Sequence, residues 1–247
     1  MLTMVSSNTL TLLHDILNID LPRLSNRFKK LEVVGGIVKE PIAIRLDGVR
    51  FSKILKDFRK PRDIRVHVSL VKAAKELMKW FNADLSYVSS DEINLIIMKP
   101  LPYGGRVFKL VSISSSIISS HTSLNLGIPL YFDSRVIKLQ DVNDAKEYIM
   151  FRARVTANNY ISLIYHELFD IKRELTPPTP RMFEELVKKG IIDKVMDWEI
   201  IGTCIHWITT IKHGYNPITK EHVRVFRRSL NETSDLNACL NALSKGS

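Results

Sequence analysis

Two stretches decide the reading of this chain: IAIRLDGVRF at residues 42–51 and LSYVSSDEINLIIM at residues 85–98. In the first, Ile42, Ile44 and Leu46 alternate with Ala43, Arg45 and Asp47, the period of two that sends successive side chains to opposite faces of a strand. In the second, the apolar runs Leu85–Val88 and Ile93–Met98 are parted by Ser89, Ser90, Asp91 and Glu92, the pattern of a hairpin. Between the two stretches, Ile64, Val68, Val71, Met78 and Phe81 recur at three- to four-residue steps or sums of them, which predicts a helix that Asp63 can cap. Downstream, Leu110, Ile113, Ile117 and Ser120 form a stripe within Arg106–Ser123, and Tyr131–Leu139 reads as a strand. The order is βαββαβ. With crossovers returning each helix to one face of a sheet, it predicts an α+β, ferredoxin-like core over residues 41–140.

Outward from this core, residues 1–40 read as an N-terminal helical extension, with Leu10, Leu13 and Leu17 on one periodicity. Residues 141–230 read as a mostly helical part broken by Thr176–Pro180, followed by a late β-hairpin in which Trp207–Ile211 and His222–Arg228 flank Gly214–Pro217. Residues 231–247 are expected to be a mobile tail.

The 247 residues are 45% hydrophobic, enough for a substantial core. Thirty-six Lys and Arg against 26 Asp and Glu give +10, a charge that attracts polyanions and puts nucleic acid first among partners, with a merely solubilising surface as the alternative. Cys204 and Cys239 are far apart in sequence and lack neighbours at ligand spacing, so neither a disulfide nor a zinc site is expected and a cytoplasmic location is the default. No apolar stretch is long enough to span a bilayer, so no membrane partner is expected. His67, His121, His166, His206 and His222 are scattered without metal-ligand spacing, and no glycine-flanked serine elbow supports a hydrolase triad.

The residues that can carry chemistry are acidic. Asp47 ends the first core strand beside Gly48, and Asp91 lies in the turn before the third; in a ferredoxin-like sheet these strands are neighbours, so the carboxylates can converge. Such a pair can hold two Mg²⁺ ions about 4 Å apart, one activating a hydroxyl and one stabilising a departing pyrophosphate. Read singly, both are also ordinary turn residues.

Arg45-Leu46-Asp47-Gly48 with Phe51, then Lys60, Pro61 and Asp63, and later Ser90-Asp91-Glu92 resemble the tRNA(His) guanylyltransferase superfamily. Lys109 with Ser112 and Ser116 is similar to its phosphate-binding helix, Phe132–Val136 to its fourth core strand, and Arg152 with Asn159 to its helical motif, the likeness running from about Leu24 to about Arg228. The resemblance implies a polymerase-palm core that adds nucleotides in the 3′–5′ direction to the 5′ end of tRNA. It implies metal on Asp47, the Gly48 carbonyl and Asp91, catalysis by Asp47, Asp91 and Glu92, and GTP or ATP held by Gly48, Val49, Arg50, Phe51, Ser52, Ser90, Lys109 and Ser112. RNA contacts are expected from Arg152, Arg154, Asn159, Arg227 and Arg228, the arginines tracking phosphates or forming a solvated face, and a homo-oligomer, commonly a tetramer, is implied. Val49 and Ser52 stand where the guanylyltransferase branch has Arg and His, and Thr156-Ala157-Asn158-Asn159 stands where it has His-Ile-Asn-Asn. That pattern is similar to the branch that repairs truncated tRNA 5′ ends against a template. The alternatives are addition of the extra guanosine of tRNA(His) and a non-catalytic RNA-binding module; a signalling cyclase would have Gly-Gly where this hairpin has Ser89-Ser90.

Overall fold

In the computed structural model, residues 5–171 and 173–245 are described. Helices α1 (Ser7–Leu17) and α2 (Leu21–Lys30) precede β1 (Glu32–Val33). The core follows as β2 (Ile42–Gly48), α3 (Phe51–Ile54), α4 (Ile64–Phe81), β3 (Leu85–Ser89), β4 (Glu92–Ile97), α5 (Val107–Leu126) and β5 (Phe132–Lys138). Then come α6 (Val142–Phe169), α7 (Thr179–Lys188), α8 (Asp197–Ile200), β6 (Thr203–Asn216), β7 (Glu221–Thr233) and α9 (Leu236–Lys245).

The strands form one antiparallel sheet in the order β1-β5-β2-β4-β3-β6-β7. Its inner four, β5-β2-β4-β3, have the ferredoxin-like order that the βαββαβ pattern predicts. Alternation along the strands divides the core in two. Ile42, Ile44 and Leu46 of β2 and Ile93, Leu95 and Ile97 of β4 pack with Leu70, Leu77 and Leu110 of α4 and α5. Ala43, Leu85, Tyr87 and Ile96 point the other way, against Tyr148 and Ile149 of α6. Each such fully buried Leu or Ile contributes about 1.5–3 kcal/mol relative to exposure, so the register that aims Asp47 and Glu92 at the α6 face is strongly fixed. Asp63 caps α4 by accepting from the Arg65 N–H at 2.8 Å, as its position before the apolar period requires.

Several expectations need correction. The buried stripe of α5 is Leu110, Ser114, Ile118 and Thr122, with Ile113 and Ile117 at its margin. Serines mislead the periodicity because Ser114 and Ser119 face the sheet and bond to Ser134 and the Phe132 N–H. The late hairpin is longer than its apolar runs, because Thr203–His206 pairs with Leu85–Val88 and makes the ribbon a continuation of the main sheet; Gly214 lies inside β6. Residues 231–245 are no loose tail: β7 runs to Thr233, and α9 buries Leu236, Cys239 and Leu243. Cys204 and Cys239 meet in a disulfide despite their separation of 35 residues, because β7 and α9 double back onto β6. The helices of the N-terminal extension pack on α6. No helix among the described residues is long and apolar enough to cross a membrane.

Candidate active site

The pairing of β2 with β4 and β5 gathers the carboxylates. Asp47 stands opposite Glu92 on one neighbour and Asp133 on the other. Asp91 occupies the β3–β4 turn, where Ser90 adopts a left-handed backbone with φ 56°. The Gly48 N–H donates to the Asp91 carbonyl at 3.0 Å, tying that turn to the end of β2. The two aspartates singled out by strand position therefore share one tip of the sheet. A Cβ at position 48 would stand 2.5 Å from the Phe51 ring, itself held edge-on to Phe132 at 5.1 Å between centroids, so any other residue there must displace that ring.

A network of charges sets the site from behind. Arg45 donates to Asp47 at 2.8 Å and to Glu92 at 2.6 Å. Glu92, 5% exposed, also accepts two bonds from Arg152, one of them 2.7 Å long, and a further bond of 2.6 Å from the Asn94 amide, whose carbonyl accepts from Tyr148 at 2.7 Å. Burial alone would push the Glu92 carboxyl up, but Arg152 and Arg45 outweigh it and hold the group below the usual carboxylate range. Asp47 goes the other way: burial, with the like charges of Glu92, Asp91 and Asp133, raises it against the pull of Arg45. Burial also raises Asp91, helped by Glu92 and opposed by hydrogen bonds from its own backbone and Ser90 and by Arg62. Glu92 is thus a saturated anchor, whereas Asp47 and Asp91 carry negative charge that the protein leaves under-compensated.

Beside this tip opens a cleft of about 530 Å³, bounded by Phe51 and Ser52 of α3, the connection into α4, and Ser90 and Asp91. Val49 and Arg50 are exposed at the preceding turn. The sequence reading missed the cleft's Arg59, Arg62, His67 and Trp198. Only a tertiary contact unites them: His67 stacks on Trp198 at 4.4 Å and shares a 2.9 Å hydrogen bond with Thr203. Burial, with help from Arg62, pulls the His67 pKa down to about 3, so the ring is neutral.

Other expected site residues fall elsewhere. Lys109 and Ser112 are exposed in the first turns of α5, whereas Ser119 is the residue that α5 ties to Phe132 at the Asp47 end. Two residues beyond Ser112, Ser114 bonds to Ser134, the neighbour of Asp133, so α5 passes the Asp47 end of β5 over more than one turn. Arg152 is 8% exposed and committed to Glu92, and Arg154 is 7% exposed beside Asn158, because both lie on turns of α6 that face the body; neither is presented to an RNA backbone. Asn159 is exposed one turn on. Arg227 and Arg228 are exposed on β7, Arg228 lying over the Trp207 ring at 4.4 Å. Thr156 is buried, donating to Ser89 at 2.8 Å.

The donor set suits a hard divalent cation. Among the described residues no group of three or more His, Cys, Asp or Glu side chains is placed to hold a metal ion by itself. Mg²⁺ is instead bound through one or two carboxylates plus substrate phosphates and water, and two carboxylates raised chiefly by burial, at a sheet tip beside an open cleft, meet that requirement.

An antiparallel βαββαβ sheet with paired carboxylates at its tip defines the class: a palm-type domain with an acidic centre. The sequence model of the tRNAHis guanylyltransferase (Thg1) family matches residues 25–158, and the chain belongs to that family. It is 33% identical over 120 residues to the uncharacterized protein R259 of Acanthamoeba polyphaga mimivirus, a match covering 42% of this chain and 41% of that one. It is 28% identical over 153 residues to the tRNA(His) guanylyltransferase of Saccharomyces cerevisiae, covering 55% of this chain and 64% of the relative. The matches thus span under two thirds of either relative. A bacterial tRNA(His) guanylyltransferase-like protein solved with ATP superposes with a TM-score of 0.66 at 18% identity, over 90% of this chain and 97% of that one. The Saccharomyces cerevisiae enzyme superposes with a TM-score of 0.58 at 21% identity, over 70% and 89%. These superpositions establish the shared fold.

Proposed function

We propose that the chain is a nucleotidyltransferase that adds nucleotides in the 3′–5′ direction to the 5′ end of tRNA, by template-dependent repair. The observation that carries the reading is the junction of Asp47 and Asp91 at one sheet tip, joined through the Gly48–Asp91 hydrogen bond at the mouth of a nucleotide-sized cleft. Asp47, the Gly48 carbonyl and Asp91 would hold Mg²⁺, which when bound supplies charge stabilisation at the reacting phosphate and lowers the pKa of an attacking hydroxyl. Arg45, braced by Glu92, fixes the Asp47 carboxylate. Phe51 packs against Gly48 and Phe132 and keeps the β2 turn close to the cleft. The substrates are GTP or ATP and a tRNA acceptor end. The ribbon β6–β7 supports the RNA partner, since Lys212, Arg224, Arg227 and Arg228 are exposed along it. Its exposed Ile211, Val225 and Phe226 support a further interface with other copies of the chain in a tetramer, which sedimentation would count.

The choice of templated repair rests on Val49, Ser52 and Thr156–Asn159. A second reading, addition of one guanosine to tRNA(His), is favoured by the name of the yeast relative. Incubation with 5′-truncated tRNAs and with intact tRNA(His) separates them. Repair predicts that the incoming base follows the opposing base by compensatory pairing; a preference for tRNA(His) indifferent to that base would replace it with the second reading.

A further inference from the structure

The cleft contains a cation that the carboxylate chemistry does not use. Arg62 lies on the connection into α4, 7% exposed, and lines the cleft beside Asp91. Its Nη2 donates to the Thr156 carbonyl at a long 3.4 Å, and its guanidinium stands 5.4 Å from the centre of the Tyr160 ring. Its Nη1 has no hydrogen-bond partner. Asp91 and Glu199 act on it only through space, and Glu199 lies 3.1 Å from Arg59 while its own buried Oε1 also lacks a hydrogen-bond partner.

A buried guanidinium short of acceptors is costly, because it has given up water and gained only one long hydrogen bond and a ring contact in exchange. Packing does not account for it, since a buried apolar side chain on Tyr160 would avoid the cost. Such a group persists where a ligand supplies the acceptors, and a guanidinium fork matches the paired oxygens of a phosphoryl group. Beside Asp91 the local chemistry then alternates: carboxylates for a metal, and a buried cation for the anion that the metal accompanies.

We infer that Arg62 is a phosphate-binding residue, holding phosphoryl oxygens in the cleft next to Asp91. The inference rests on the nucleotidyltransferase reading and deepens it, by assigning the phosphate end of a substrate to this side chain. The phosphoryl group belongs either to the incoming nucleoside triphosphate or to the 5′ end of the RNA, and the experiment separates these sources.

The full chain, as wild type, Arg62→Met and Arg62→Lys, is titrated calorimetrically with ATP, adenosine, and an acceptor-stem RNA bearing either a 5′-phosphate or a 5′-hydroxyl. The expected result is at least a tenfold loss of affinity in Arg62→Met for one phosphorylated ligand, with its unphosphorylated counterpart unchanged, and a smaller loss in Arg62→Lys, which keeps charge but not the fork. Loss confined to ATP assigns the nucleotide's phosphates to Arg62; loss confined to the 5′-phosphorylated RNA assigns the RNA end. Equal affinities of wild type and Arg62→Met for all four ligands would overturn this inference alone, whereas wild-type protein that binds neither ATP nor RNA would overturn it together with the reading beneath it. Should Arg62→Met fail to fold, the wild-type Arg62 Nε–H resonance must still shift on addition of inorganic pyrophosphate, and an unmoved resonance overturns the assignment.

Discussion

Replacing Glu92 by Gln keeps the shape of the side chain and removes the one charge on which Arg45 and Arg152 both converge. Glu92 is 5% and Arg152 is 8% exposed, so in the variant a buried guanidinium loses its counter-charge. Stranding one partner of a buried pair costs about 3–5 kcal/mol, a large share of the roughly 5–15 kcal/mol by which a domain is stable. For a chain of this size each kcal/mol moves Tm by roughly 2–4 °C, so a drop of roughly 6–20 °C is expected. The assays are thermal melts for Tm and urea unfolding for free energy, both followed by the fluorescence of Trp80, Trp198 and Trp207 at pH 7 and in acid. The native Glu92 carboxyl is held below its ordinary value, so its contribution is full above that value and fades as pH falls through the lowered one. The gap between wild type and Glu92→Gln must therefore close on acidification. Adding Arg152→Met to Glu92→Gln should restore part of the stability, since one stranded cation is gone. A destabilisation under about 1 kcal/mol at pH 7, or a gap that does not narrow in acid, would refute the argument that this ion cluster braces the site.

Asp47→Asn should abolish nucleotide addition while leaving the metal-free protein at least as stable as wild type at neutral pH, because the native carboxyl is raised and its ionisation opposes folding; thermal melts in EDTA check the sign, and a clear destabilisation would contradict it. Gly48→Ala should cost about 1–3 kcal/mol and most activity, since its Cβ would meet the Phe51 ring at 2.5 Å; a variant of wild-type stability in urea would show that the ring yields freely. Replacing Arg227 and Arg228 by Ala should lower the log–log salt slope of tRNA affinity by roughly 0.7–0.9 for each phosphate no longer neutralised, and an unchanged slope would remove the β6–β7 ribbon from the RNA interface.

What could be read from sequence followed from local periodicity. Strand alternation around Asp47 and the Ser89–Glu92 turn located the βαββαβ core because buried strands there are short, apolar and sharply punctuated. Several of the misses come from pairing between distant segments. Arg152 looks like any helical basic residue until α6 is laid across β4, and Cys204 meets Cys239 only because α9 returns to β6. The extra strand β1 is two residues long and carries no periodicity, and it exists because Glu32 and Val33 pair with Ile137 and Val136. Arg62 left no signal at all, since a buried, unsatisfied nitrogen is a property of packing rather than of spacing.

The central claim, that Asp47 and Asp91 form a metal-dependent centre for 3′–5′ addition, is tested most directly by resolving the products of one reaction. A 5′-truncated tRNA is incubated with labelled nucleoside triphosphates and Mg²⁺ in the presence of wild type, Asp47→Asn or Asp91→Asn. The account predicts that wild type lengthens the 5′ end, and that either variant, or EDTA, abolishes the product while tRNA binding persists. Full-length extension by Asp47→Asn or Asp91→Asn, or label joined to the 3′ end, would contradict it.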